Sequence, residues 1–288
     1  MNDFKQISWR GEPAVEFASG AARAVVVPGR GGKIVSLRDA TGAEWLAQLP
    51  PGPWPTVATD AAFTDAEMCG WDECAPSIVA CEVAGVEVPD HGDLWRLQWQ
   101  AQGDAAGVTG PSLGYRFTRR IEPIAGGFAF HYEVASDVVT PFLWAAHPQF
   151  LAPAGSYVAL DHGAAVLDAM AEPAAEVPWT PALASIDTVS AGGCRKFYLS
   201  PDQGASSAEL VHADGRRLRM AWDATALPYV GVWFDGGAYA RQNVIAIEPS
   251  TGFYDDLAKA AAANRVATVG PEAPLKWSLA VTFPTPLK

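Results

Sequence analysis

The stretch YRFTRRIEPIAGGFAFHYEVAS, residues 115–136, consists of two alternating runs on either side of Gly126-Gly127. Alternation has the period of a strand, and a glycine pair between two such runs signals a hairpin. In the second run Phe128, Phe130, Tyr132 and Val134 share one face, while His131 and Glu133 point the other way. The same grammar recurs outward from this hairpin. Residues 21–46, AARAVVVPGRGGKIVSLRDATGAEWL, predict a strand at 22–27, a glycine-rich turn, a strand at 33–38, and another after the turn at Thr41-Gly42. Residues 210–222, LVHADGRRLRMAW, read as a second hairpin turning at Asp214-Gly215, with Leu218, Met220 and Trp222 alternating against Arg217 and Arg219. The chain ends on the alternating LKWSLAVTF. Helical periodicity is confined to YDDLAKAAAANRVAT, where Asp255 or Asp256 would cap a short Ala-rich helix. The proline-rich segments 49–55 and 171–185 read as loops, and neither shifts composition enough to be a linker. Many short strands with turns between them predict one all-β domain over 1–288, a large antiparallel β-sandwich with an open groove on one sheet.

Composition narrows the function classes. Half of the 288 residues are hydrophobic and eleven are tryptophan, enough for a large core and an aromatic-lined pocket. A net charge of −12 works against nucleic acid and anionic membrane surfaces as partners. No apolar run reaches the length of a membrane span, and the first residues hold no apolar signal segment, so the cytoplasm is the expected address. The four cysteines form no C-x-x-C pair and no Cys/His cluster with zinc spacing, and read as buried free thiols.

Three residues carry candidate chemistry. His147 sits in FLWAAHPQF, an apolar strand that Pro148 ends; by itself it reads either as a packed histidine bonded to backbone or as a proton donor at a strand end. His91 lies among the turn residues Pro89, Asp90 and Gly92, with Asp90 and Asp93 placed to fix its tautomer, or is a solvated turn histidine. Glu248 follows the apolar run Val244–Ile247 and precedes Pro249; pointed into a pocket, desolvation would raise its pKa toward that of a general base. Asp72 and Glu73 beside Trp71 suit sugar hydroxyls, or an acidic turn. Arg30 and Lys33, in a glycine-rich turn without nucleotide-binding spacing, are candidate ligand contacts, and Trp95, Trp144 and Trp233 are candidate stacking platforms or core. His131, His162 and His212 read as structural or surface residues.

Five segments then stand in a telling order: GGKIVSL, GWDECAPSI, HGDLWRLQW, PFLWAAHPQF and VGVWFDGGAYARQNVIAIEPSTGFYDD. In that order they resemble the aldose 1-epimerase (galactose mutarotase-like) family, and the resemblance runs over most of the chain. It implies a β-sandwich that binds a monosaccharide in an open groove and interconverts its α and β anomers by ring opening. Matched motif to motif, Glu248 of I-E-P would be the general base, His147 of H-P-Q-F the general acid, and His91 of H-G would bind the sugar and polarise the ring-oxygen side. That chemistry needs no metal or cofactor. The chain departs from the family where Asp72 and Glu73 occupy a region in which several members carry an arginine. Arg96, with Arg30 and Arg241 as helpers, is the candidate for an anionic group, but the scarcity of basic residues favours a neutral sugar. An epimerase of phosphorylated or sulfonated sugars and a non-catalytic sugar-binding protein are the alternatives. Exposed sheet edges make a homodimer an expectation as well.

Overall fold

A computed structural model describes residues 4–55, 61–160 and 165–285. Two large antiparallel sheets, of twelve and eight strands, dominate it. The hairpin that opens the argument lies in the smaller sheet, where Tyr115–Ile124 pairs with Gly127–Ser136 in continuous register. Phe128, Phe130, Tyr132 and Val134 are all buried, as their alternation requires. On the neighbouring strand Tyr115, Phe117 and Ile121 face the same core. The larger sheet supplies the opposing layer: Trp71, for example, packs against Phe130 with ring centroids 5.0 Å apart. The layers thus bury a shared aromatic core, the condition that makes a sandwich stable.

The strands expected at 22–27 and 33–38 are Ala22–Val27 and Lys33–Arg38, and LKWSLAVTF forms Leu275–Thr282. The second hairpin pairs Ser207–Val211 with Arg217–Trp222. Asp256 is the helix cap, accepting the Lys259 amide at 3.0 Å before the helix Leu257–Ala262. Two expectations fail. The strand after Thr41-Gly42 is only two isolated bridges, at Glu44 and Leu46, because the Glu44 carboxylate takes the Leu37 and Leu46 amides at 2.8 and 3.1 Å that a ladder would use. Residues 171–185 are not all loop. Ala175–Pro178 is the outermost strand of the large sheet, an edge position that tolerates proline, and Thr180 caps the short helix Pro181–Ala184.

Strand order positions the site. In the large sheet the strands Lys33–Arg38, Trp71–Cys74, Ala145–Pro148, Val244–Ser250, Tyr229–Asp235 and Cys194–Leu199 lie side by side. Pairing of Ile34 with Trp71, His147 with Asp72, Ala145 with Ser250, Glu248 with Gly231, and Gly231 with Tyr198 fixes one row across all six. That row reads Lys33, Asp72, His147, Glu248, Gly231, Tyr198. It runs along the face turned away from the sandwich core, where side chains of one register collect.

Candidate active site

His147 and Glu248 meet in the middle of this row. His147 Nδ1 lies 3.0 Å from Glu248 Oε1, and the second carboxylate oxygen, Oε2, accepts a hydrogen bond from the Lys196 ammonium. Lys196 reaches it diagonally past Gly231, where a Cβ would come within 3.2 Å of Glu248 Oε2 and 3.4 Å of Lys196 Cε. Glu248 is 2% exposed. Burial alone would raise its pKa, but the Lys196 ammonium and the His147 hydrogen bond reverse that and hold it at about 2. This corrects the expectation of a carboxylate lifted by desolvation: the strand end does bury Glu248, but beside a cation. The same pairing raises the Lys196 pKa against the opposing effect of burial.

His91 arrives from a loop. Its backbone is left-handed (φ 56°), its amide donates to Ile78 at 2.6 Å, and the next two residues are anchored in turn. Gly92 (φ 70°) packs so closely that a Cβ would overlap the Ala75 carbonyl, while Asp93 donates its amide to that carbonyl at 2.7 Å and accepts from the Ser112 hydroxyl at 2.7 Å. His91 Nδ1 lies 3.0 Å from Asp90 Oδ2. Its ring stacks on Phe63 at 3.9 Å and stands 5.6 Å, centroid to centroid, from that of His147.

Both histidines line one cavity of about 380 Å³, together with Phe63, Lys196, Trp233 and Asp255. That volume suits a small molecule with aromatic walls and a few convergent polar groups. The Lys196 ammonium sits 5.9 Å from the Trp233 ring and 3.8 Å from Asp255 Oδ1, and Tyr198 donates its hydroxyl to the same Asp255 oxygen.

The remaining sequence candidates fall elsewhere. Strand alternation separates Asp72 from Glu73. Asp72 turns toward the row but is buried in an ion pair with Lys33 at 2.5 Å, so neither lines the cavity. Glu73 turns into the core, where Arg119 (2.7 Å), Tyr132 (3.1 Å) and Trp144 Nε1 (2.9 Å) all donate to it. Glu73 and Trp144 are therefore placed as interior residues. Burial raises the Glu73 pKa in spite of Arg119. Arg30 binds Glu12 at 3.0 Å and covers Trp54, Arg96 borders a separate depression with Glu82 and Glu87, and Arg241 is exposed outside the cavity. Trp95 packs edge-on to Phe63 at 5.2 Å. His131 bonds Ser278 and Glu122 at the surface, and His212 stacks on Trp45 at 4.5 Å; His162 lies outside the described residues. Sequence reasoning missed Lys196, Phe63 and Asp255. Only Lys196 left a signal, as a lysine alternating against the apolar Phe197 and Leu199.

The class that these sheets and this cavity define is the galactose mutarotase-like β-sandwich. Among solved structures, the Slr1438 protein of Synechocystis is similar over 98% of this chain and 99% of its own, with a TM-score of 0.74 and 15% identity. A Klebsiella pneumoniae protein provisionally named an aldose 1-epimerase is similar over 97% of this chain and 83% of its own (TM-score 0.72, 12% identity). A galactose mutarotase-like protein of Lactobacillus casei is similar over 94% and 100% (TM-score 0.66, 15% identity). At such identities the likeness establishes the fold. No protein-family model matches the sequence, and no curated protein matches it.

Proposed function

We propose that the protein is an aldose 1-epimerase acting on a neutral free aldose. The observation that carries this reading is the convergence of two histidines with carboxylate partners, His147 with Glu248 and His91 with Asp90, at one cavity of about 380 Å³. Anomer exchange requires one group to take the proton of the C1 hydroxyl and another to protonate the ring oxygen, both within hydrogen-bond reach. A cavity meant only for binding has no need of two imidazoles held in fixed tautomers. The provisional naming of the Klebsiella pneumoniae neighbour supports the same reaction class.

A neutral sugar follows from the cations. Arg30, Arg96 and Arg241 do not line the cavity, and Lys196, which does, already faces Glu248 and Asp255. A phosphate would have to break that pairing to be held. Polarimetry or NMR exchange spectroscopy on freshly dissolved aldoses tests the proposal: anomer exchange faster than in buffer is expected for at least one neutral aldose. Rates equal to buffer for every neutral aldose, with exchange of a sugar phosphate instead, would move the substrate to the anionic class. Tight binding of a sugar without exchange would make the protein a sugar binder.

A further inference from the structure

We infer that Gln149 selects the sugar, its side-chain amide binding the ring hydroxyls on the side away from C1. The inference rests on the anomer-exchange reading above and extends it to substrate choice. Gln149 stands two residues beyond His147, and alternation turns both toward the groove face while Ala146 and Phe150 enter the core. Its backbone is held on both sides: the amide donates to the Gly70 carbonyl at 2.9 Å, and the carbonyl accepts from Ala47 at 2.8 Å. The side chain is 1% exposed, yet neither Nε2 nor Oε1 has a hydrogen-bond partner among the described residues. Buried amides are nearly always hydrogen-bonded, because a dry and unpaired one is costly, so this exception calls for a cause.

Register places the amide beside the cavity. Pairing of Ala145 with Ser250 and of Phe150 with Ile245 sets Gln149 opposite Ala246, which pairs with Trp233, and Trp233 pairs with Lys196. Gly70, Gln149, Ala246, Trp233 and Lys196 thus form a second row, one two-residue step of about 7 Å from the row of His147 and Glu248. Trp233 and Lys196 line the cavity, so this row continues its floor. With glycine on one flank and alanine on the other, the row offers the amide no hydrogen-bonding neighbour. Met68 connects the two places: it lines the cavity and packs on the apolar patch of Ala47, Cys69, Ala240 and Val244, around the backbone partners of Gln149. An unbranched thioether side chain repacks at little cost, so its displacement opens the way from cavity to amide.

An aldose with C1 at His147 and Glu248 carries its C3 and C4 hydroxyls across the ring, a span comparable to the step between the two rows. Each hydroxyl donates and accepts, and a glutamine amide offers both complements. The amide is already stripped of water in the free protein, so a hydroxyl that reaches it meets no further desolvation cost on the protein side. A sugar without that hydroxyl leaves the amide unpaired, which is how a site built for hydrogen bonds rejects an analogue. Gln149 thus burdens the empty protein and is useful only with sugar bound, the mark of a residue kept for function against stability.

Exchange NMR and calorimetry on the wild type and on Gln149→Met test this, using the best-exchanged neutral aldose and its 2-, 3- and 4-deoxy forms, each rate divided by that sugar's rate in buffer. Wild-type kcat/KM should fall by about tenfold or more for the 3-deoxy or the 4-deoxy sugar, and far less for the 2-deoxy sugar. Gln149→Met should treat the parent and these two analogues alike, within about threefold, with a Tm equal to or above that of the wild type because the unpaired amide is gone. Gln149→Leu, of different shape, is measured alongside so that a packing defect of one side chain does not decide the result. Variants that discriminate among the deoxy sugars as the wild type does overturn the inference, with or without a lowered Tm. So does a wild type whose largest loss is with the 2-deoxy sugar. A wild type that binds an aldose without exchanging it removes the anomer-exchange reading alone, and the same ratios taken from Kd then decide the role of Gln149. Binding of no sugar at all removes both.

Discussion

His147 Nδ1 and Glu248 Oε1, 3.0 Å apart on neighbouring strands, join two residues separated by 101 positions in the chain into one unit. Register alone brings them there, since Ala145 pairs with Ser250 and each following residue steps across from its partner. Replacing Glu248 with Gln offers His147 an amide that can donate as well as accept, so the tautomer is no longer fixed. The expected result is a loss of kcat of about 10²-fold or more, with sugar affinity by calorimetry changed little. A loss of affinity that accounts for the whole defect would mean that Glu248 holds the sugar.

The buried carboxylate also ties stability to acid. Its folded pKa of about 2 lies below the ordinary value of 4.5, because Lys196 and His147 outweigh burial. A depressed carboxylate stabilises the folded state fully above the unfolded value and loses that contribution as pH falls from 4.5 toward 2. Urea unfolding at a series of pH values should show wild-type stability dropping through that window. Glu248→Gln should be less stable at neutral pH and drop less steeply there.

Gly231 is the gap that lets Lys196 reach Glu248. A methyl group at that position meets Tyr198 Cε1 at 3.0 Å as well as the pair itself. Gly231→Ala should cost about 1–3 kcal/mol of stability through overpacking, and anomer exchange should fall with it. A thermal scan and an exchange assay on the same sample check both. Gly114→Ala, at a turn where nothing lies within 4 Å of the added carbon, should leave exchange unchanged and lower stability only through its positive φ (64°).

Inside the sandwich, Arg119 and Glu73 form a second buried pair at 2.7 Å that links the two sheets. Arg119→Met removes the guanidinium paired with Glu73 and should destabilise by about 3–5 kcal/mol. The double variant with Glu73→Leu should recover only part of that loss, since it removes the unpaired buried charge but leaves the Tyr132 hydroxyl and the Trp144 indole N–H without their acceptor. Denaturant titration of the two single variants and the double variant yields the coupling.

Much of this fold was readable because alternation is a local property. Phe128, Phe130, Tyr132 and Val134 point inward for the same reason in the sequence and in the sheet. The rule also explains its own surprise: Arg119 occupies the inward series of Tyr115, Phe117 and Ile121, and follows it into the core. The strand expected after Thr41-Gly42 was not readable, because a side chain, Glu44, competes with the ladder for the same amides.

His91, His147 and Glu248 could be singled out from the sequence, because histidines and a glutamate among apolar runs and turn residues stand out against strand composition. Their segments also kept the order of a mutarotase-like chain. The sequence could equally separate an inward from an outward neighbour, though not say which cation each of Asp72 and Glu73 would meet. Tertiary structure alone decided the electrostatics. Lys196 lies 52 residues from Glu248 and reaches it only because the Cys194–Leu199 and Val244–Ser250 strands flank a glycine in the same sheet. Whether a buried carboxylate is lifted into the range of a base or held at about 2 depends on Lys196 together with His147, and strand order, which brings distant residues within Coulombic reach, is not written in any local stretch.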